Sequence, residues 1–263
     1  MMATQRTALI TGASAGLGSE FARQLAARGC NLVLIARRID RLTALGETLS
    51  TQHGIHVKCI AADLSRPEAA AEVTAEIATA DISIDYLINN AGIAGGDLLG
   101  DEAWADHQQF CQLMMVSVLE MCHRIIPGMR QRGFGRVINV ASVAGRIPRM
   151  GGCLYGPSKA YLVALSEDLA VTLHGSGVQV CALCPGFTHT EFHATAGLQE
   201  MKDKMPGWLW YDADVVVREG LRAVEKGTPV YLSGRLYRWL DPFLQSVITR
   251  RLFRPKSRPS ATQ

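Results

Sequence analysis

The sequence predicts a doubly wound α/β fold in one domain, a parallel sheet of about seven strands with helices on both faces. Three observations predict it. Short apolar runs of strand length recur along the 263 residues. These runs are nearly continuous in apolar character, as strands buried on both faces require. Longer stretches with helical periodicity separate them, so parallel strands joined by right-handed crossovers follow. A chain with 48% hydrophobic residues, 25 glycines and 19% charged residues has ample core material, which excludes a disordered, collagenous or coiled-coil protein.

Candidate strands lie at 7–10, 31–36, 58–61, 86–89, 136–140, 179–184 and 230–233. The first leads into a glycine-rich turn and a helix read at 19–27, after which Gly29 supplies the left-handed residue that ends a helix well. Ser65-Arg-Pro-Glu68 reads as a capping box with proline in the first turn. A long helix is expected over about 102–132 and another over 155–174. No solenoid repeat or low-complexity linker interrupts the chain.

Charge divides unevenly. Residues 1–234 hold 20 basic and 23 acidic side chains, whereas 235–263 hold seven basic residues and only Asp241, so the body is −3 and the tail is +6. The expected organisation is a domain over 1–234 and a basic amphipathic tail over 235–263. In the tail Leu236, Trp239, Leu240, Phe243, Val247 and Ile248 recur at mainly helical spacing among arginines, and Pro242 starts or kinks a helix. That composition suits a peripheral membrane contact, a subunit interface or a cover over a substrate mouth. No nucleic-acid module accompanies the charge.

Seven cysteines lie scattered through apolar segments without disulfide spacing, and no stretch reads as a signal peptide or membrane span. A cytoplasmic protein, possible membrane contact aside, is expected. Cys181 and Cys184 have redox-motif spacing but sit in an apolar strand, which reads as a buried pair. His189 and His193 lack a third ligand, so no metal site is expected.

Chemistry is written first in Thr11-Gly-Ala-Ser-Ala-Gly-Leu-Gly18. Small residues between a strand and a helix let the backbone approach a pyrophosphate, whose charge meets the helix N-terminus. The TGxxxGxG pattern at 11–18 resembles that of the short-chain dehydrogenase/reductase family. Further landmarks follow in order: Asn89-Asn90-Ala91-Gly92, Ser142 after the fifth strand, Tyr155-Gly-Pro-Ser-Lys159, and Pro185-Gly186 with Thr190. The resemblance covers about residues 5–233 and is nearest to the branch of 3-ketoacyl reductases and hydroxysteroid dehydrogenases.

The resemblance implies a Rossmann fold and transfer of a hydride between a nicotinamide and a carbonyl or secondary alcohol. It assigns Tyr155 to proton transfer, Ser142 to holding the substrate oxygen, and Lys159 to the cofactor ribose and the tyrosine. Tyr155 and Lys159 are four apart at a helix start and share a face, and an ammonium beside a phenol favours the phenolate. The cofactor set expected is Gly12, Ser14, Gly16, Leu17, Gly18, Arg37, Asp63, Asn90, Tyr155, Lys159, Pro185, Gly186, Thr188 and Thr190.

Ala36 followed by Arg37-Arg38 points to NADP(H), because a carboxylate at 36 would suit a ribose hydroxyl whereas a phosphate wants cations. Ser14 is a further donor to that phosphate. Residues 188–210, with Phe192, Met201, Met205, Trp208 and Trp210, read as a lid over an apolar carbonyl substrate. A homo-oligomer, dimer or tetramer, is expected. Met114 departs from the family pattern. The resemblance implies an Asn there that supports a helix distortion and a water in the proton relay, and its absence motivates an alternative: a catalytically weak NADP-binding protein with a regulatory or membrane-associated scaffold role.

Overall fold

The computed structural model describes residues 5–95, 97–100, 103–146, 154–189 and 210–246. Its elements in chain order are β1 (Thr7–Thr11), α1 (Gly16–Ala26), β2 (Asn31–Ala36), α2 (Ile39–His53), β3 (Val57–Ala61), α3 (Ala69–Thr79) and β4 (Tyr86–Asn89). Then come α4 (Trp104–Cys111), a π-turn (Gln112–Val116), α5 (Ser117–Arg132), β5 (Gly135–Val140), a 3-10 turn (Val143–Gly145), α6 (Tyr155–Thr172) and β6 (Val178–Cys184). The described part closes with β7 (Phe187–Thr188), β8 (Trp210–Tyr211), α7 (Ala213–Glu225), β9 (Val230–Leu232) and α8 (Arg235–Gln245).

Seven strands form one parallel sheet in the order β3-β2-β1-β4-β5-β6-β9. Alternate side chains of each strand enter different cores, which is why the strands are apolar throughout. Ile10, Leu32 and Leu34 pack with Phe21, Leu25, Leu42 and Leu221 on one face. Leu9, Val33 and Ile35 share a second core with Val73, Ile77, Met121, Ile126 and Leu162 on the other. The order reverses between β1 and β4, so the crevice at their carboxyl ends is where such a sheet accepts a ligand.

Three local expectations need correction. The first helix begins at Gly16, earlier than read. Ser65 caps nothing: its N–H and hydroxyl both donate to Asp63 Oδ1, at 3.0 and 2.8 Å, and α3 starts only at Ala69. The long helix is not uniform, because the π-turn widens it in the middle. The pairing of Phe187 with Trp210 and Thr188 with Tyr211 was not anticipated, being two residues long and closed across 21 intervening positions. Gly29 does adopt the left-handed conformation, with φ of 77°.

Cys181 and Cys184 are both fully buried, and burial raises each thiol to about 12. Three residues apart on a strand they enter opposite cores, which rules out a bond between them. Among the described residues no helix is long and apolar enough to cross a membrane, and no cluster of ligands could hold a metal.

Candidate active site

The glycine loop leaves β1 at the strand-order reversal. Gly12 and Gly16 have φ of 66° and 55°, which side-chain-bearing residues rarely adopt. Gly18 needs its bare Cα for another reason: a β-carbon would stand 2.2 Å from the Gly12 carbonyl oxygen. The loop is therefore a tight backbone cradle at the first turn of α1. The buried Ser19 hydroxyl turns back on its own helix and donates to the Gly16 carbonyl.

Asn90 staples this cradle to β4. Its side-chain amide donates to the carbonyls of Thr11 at 3.0 Å and Gly12 at 3.3 Å. The Thr11 hydroxyl accepts the N–H groups of Asn90 and Ala91, at 2.9 and 3.0 Å, from the opposite side. Asn90 thus shapes the loop through its side chain. Within the glycine motif Thr11 thus has a role of its own, as a buried hydroxyl must find partners.

At the end of β2 the two arginines diverge. Arg38 Nη2 donates to Ser14 Oγ at 3.2 Å, bringing a guanidinium to the glycine loop. The positive charge of Arg37 lies near enough to Asp63 to favour its carboxylate. Burial raises the Asp63 carboxyl, but hydrogen bonds from Ser65 with Arg37 and Arg66 nearby outweigh it and hold the group below its usual value. Sequence reasoning singled out Arg37, whereas Arg38 is the arginine bonded to Ser14.

Ser142 stands just past β5 with extended backbone, and its Oγ accepts the Ala144 N–H at 3.1 Å, capping the 3-10 turn. The turn is held on two sides. Val143 N–H donates to the Pro185 carbonyl at 3.0 Å. A β-carbon on Gly145 would come 2.6 Å from the main chain of Lys159 and Ala160, so the turn lies directly on α6.

Tyr155 opens α6 and Lys159 follows one turn on. The Lys159 ammonium is 5.6 Å from the centroid of the Tyr155 ring and donates to the Val140 carbonyl at 2.8 Å. Burial lowers it from 10.5 to about 8. The expected Tyr155–Lys159 association is thus present, with Lys159 bonded to the last residue of β5, two positions before Ser142.

Met114 lies inside the π-turn, buried, with its sulfur accepting the Ile93 N–H at 3.4 Å. A β-carbon on Gly92 would stand 3.2 Å from that sulfur and 3.8 Å from Lys159 Nζ. The helix distortion therefore forms without an asparagine. Ser117 assists it by donating to the Leu113 carbonyl at 2.7 Å.

The short chain dehydrogenase family model matches residues 6–201. The chain belongs to the short-chain dehydrogenase family. Serine 3-dehydrogenase of Agrobacterium fabrum is 36% identical to it over 204 residues, covering 76% of this chain and 79% of that one. A short-chain dehydrogenase from Sphingobium yanoikuyae, solved in complex with NADPH, matches at 30% identity and a TM-score of 0.81, over 97% of this chain and 99% of its own. The bulky-bulky ketone specific alcohol dehydrogenase of Comamonas testosteroni matches at 26% identity and a TM-score of 0.79, over 98% of each chain. This short-chain dehydrogenase is accordingly an oxidoreductase acting between CH–OH and C=O.

The remaining expected site residues are placed as follows. Leu17 lies in the first turn of α1. Pro185 and Gly186 follow β6, and the Tyr237 ring covers Gly186 so closely that a β-carbon would be 2.0 Å from it. The Thr188 hydroxyl donates to the Gly186 carbonyl at 3.1 Å. Thr190 and the lid positions Phe192, Met201, Met205 and Trp208 fall outside the described residues, as does His193. Trp210 stacks on His189 and meets Phe187 at a tilt, with ring centroids 5.2 and 5.3 Å away.

Proposed function

We propose that this short-chain dehydrogenase uses NADP(H) to reduce an apolar ketone or aldehyde, and to oxidise the corresponding alcohol in reverse. The observation that carries the reading is the buried Lys159 ammonium beside the Tyr155 ring, on a helix whose main chain supports the Ser142 turn. The cradle fits a dinucleotide: Gly12, Ser14, Gly16, Leu17 and Gly18 bring main chain and a helix N-terminus toward a pyrophosphate, with no room for side chains at Gly12 or Gly18. Arg38, Arg37 and Ser14 receive the ribose phosphate, a site of cations without a carboxylate at Ala36. Asp63 meets the adenine, Asn90 shapes the glycine loop, and Pro185, Gly186 and Thr188 shape the nicotinamide end. The solved relative in complex with NADPH supports the same cofactor.

Bound NADP(H) supplies or accepts the hydride. Ser142 donates a hydrogen bond to the substrate oxygen, and Tyr155 gives its proton to that oxygen in reduction and takes it back in oxidation. Lys159 places positive charge beside the phenol, favouring the phenolate that remains, and holds the ribose. Val140 anchors the ammonium by its carbonyl.

The Phe187–Trp210–His189 stack beyond Pro185–Gly186 supports an apolar substrate, as does likeness to an enzyme named for bulky ketones. The relative named for serine supplies the competing class, a small polar alcohol. Following NADPH absorbance against ketones graded in size, with serine and NADP+ as the reverse assay, decides between them. Turnover that rises with apolar bulk is expected, and efficient oxidation of serine with no ketone reduction would replace the substrate class.

Exposed Trp104, Val116, Leu119 and Val171 support a homo-oligomer. A peripheral membrane contact draws support from the exposed Trp239–Phe243 pair, 5.7 Å apart on α8, and from the basic tail. Sedimentation with anionic vesicles tests it. Replacing both aromatics with alanine should release the protein, and parent protein that ignores vesicles at low salt would leave a subunit contact. Persistence of the π-turn with Met114 in place supports the enzyme over the alternative of a catalytically weak binder.

A further inference from the structure

Arg146 ends the 3-10 turn that Ser142 begins, and its guanidinium forms a two-pronged ion pair with Asp241 of α8. Nε meets Oδ1 at 2.9 Å and Nη2 meets Oδ2 at 2.5 Å, with 18% and 15% of the two side chains exposed. The Arg146 carbonyl accepts the Gln245 side-chain amide from the next turn of the same helix. Asp241 is the only acidic residue among the last 29, and it is committed to this contact.

The helix that provides Asp241 is itself fixed. Arg238 donates to the Leu232 carbonyl and the Tyr231 hydroxyl, at 2.9 and 2.8 Å, and reaches Glu219 of α7. Tyr237 lies flat on Gly186. Through these contacts α8 bridges the two loops that leave β5 and β6, the loops of Ser142 and of Pro185–Gly186. Beneath the bridge lies the fully buried Cys184, whose thiol feels the Ser142 N–H and the charges of Arg146 and Asp241.

The main chain that carries the Arg146 side chain is packed tightly against the helix of Tyr155 and Lys159. Arg146 follows Gly145, and Gly145 rests on the Lys159 main chain without space for a methyl group. Movement of Arg146 therefore moves Gly145 against α6 and the capped Ser142 against its Ala144 partner. A two-pronged arginine–carboxylate contact fixes both distance and plane, unlike a single charge contact.

We propose that Asp241 is a positioning residue for catalysis: through Arg146 it clamps the Ser142 turn onto α6, so that α8 completes the active site. This rests on the carbonyl-reductase reading, and the test has an arm that does not depend on it. Asp241→Asn keeps the size and removes the charge, while Asp241→Glu retains the carboxylate. Hydrogen–deuterium exchange is read at the amides of 143–146, alongside NADPH affinity, melting temperature, kcat and KM.

The Asn variant should exchange at 143–146 about tenfold faster, with exchange in β1 and β2 unchanged. Its kcat should fall about tenfold or more while NADPH affinity stays within about twofold, and the Glu variant should recover most of the loss. Should the Asn variant fail to fold, Gln245→Ala removes only the contact to the Arg146 carbonyl and should show the same changes at smaller size. Unaltered exchange at 143–146, or faster exchange with unaltered kcat, would overturn the proposal. Parent protein that turns over no carbonyl would defeat the functional reading alone, leaving the exchange result to decide the clamp.

Discussion

The sulfur of Met114 accepts the Ile93 N–H at 3.4 Å, in a π-turn packed against Gly92 and within reach of the space beside Lys159. A thioether is a weak acceptor, but it is long and polarisable enough to fill the gap that the widened turn leaves. The distortion of this helix is therefore held by main-chain geometry, by Ser117 and by packing, and the side chain at 114 has adapted to it.

Met114→Asn should consequently lower stability by roughly 1–3 kcal/mol, because a shorter amide replaces a fully packed side chain and must find partners in a buried site. Turnover should not rise. Melting temperature, kcat and NADPH affinity measured together check this, and a several-fold faster enzyme with unaltered melting temperature would show that the missing amide limits proton resupply.

Cofactor preference should depend more on Arg38 than on Arg37. Arg38 is the guanidinium bonded to Ser14 in the glycine loop, whereas the charge of Arg37 lies on the side of Asp63. Arg38→Ala should weaken NADPH binding about tenfold, equal to about 1.4 kcal/mol, and leave NADH binding nearly unchanged. Fluorescence titration of both cofactors against both alanine variants is the check, and a larger loss in Arg37→Ala would relocate the phosphate.

Lys159 trades stability for chemistry. Its folded-state value of about 8 lies below the usual 10.5, so the unfolded chain binds the proton more tightly. The burial cost, about 3 kcal/mol, is fully present below pH 8 and is relieved as pH rises from 8 to about 10.5. Lys159→Met removes that cost but leaves the Val140 carbonyl without its donor, which offsets roughly 1–2 kcal/mol. The variant should be inactive yet more stable than the parent at pH 7, with the difference shrinking toward pH 10.5. Denaturant melts of both proteins at the two pH values check the sign, and a less stable variant at pH 7 would contradict it.

The strands and the motif residues were legible in the sequence because both depend on local pattern: a run of apolar residues buried on two faces, or a glycine that alone fits a turn. Gly12, Gly18, Tyr155 and Lys159 belong to this class. What local pattern could not reveal was pairing over distance. Nothing near Ser65 announces that its hydroxyl turns back to Asp63 and leaves the helix to start later. Nothing in Arg37-Arg38 says which guanidinium reaches a loop 24 residues upstream. The tail read as a basic amphipathic appendage, yet its first turns are fixed to the body by Asp241, which charge counting treated as the exception.

In the proposed mechanism Tyr155 transfers the proton while Lys159 and the glycine cradle hold the cofactor. Tyr155→Phe removes one hydroxyl and retains the ring that lies 5.6 Å from the Lys159 ammonium. The direct measurement is single-turnover oxidation of bound NADPH by the best ketone substrate, in parent and Phe variant, after titration of each with NADPH. Rate loss of about a thousandfold, with NADPH affinity within about twofold of the parent, is the expected result. A Phe variant that turned over at the parent rate would contradict it, making Tyr155 an ordinary helix residue and placing the proton donor elsewhere.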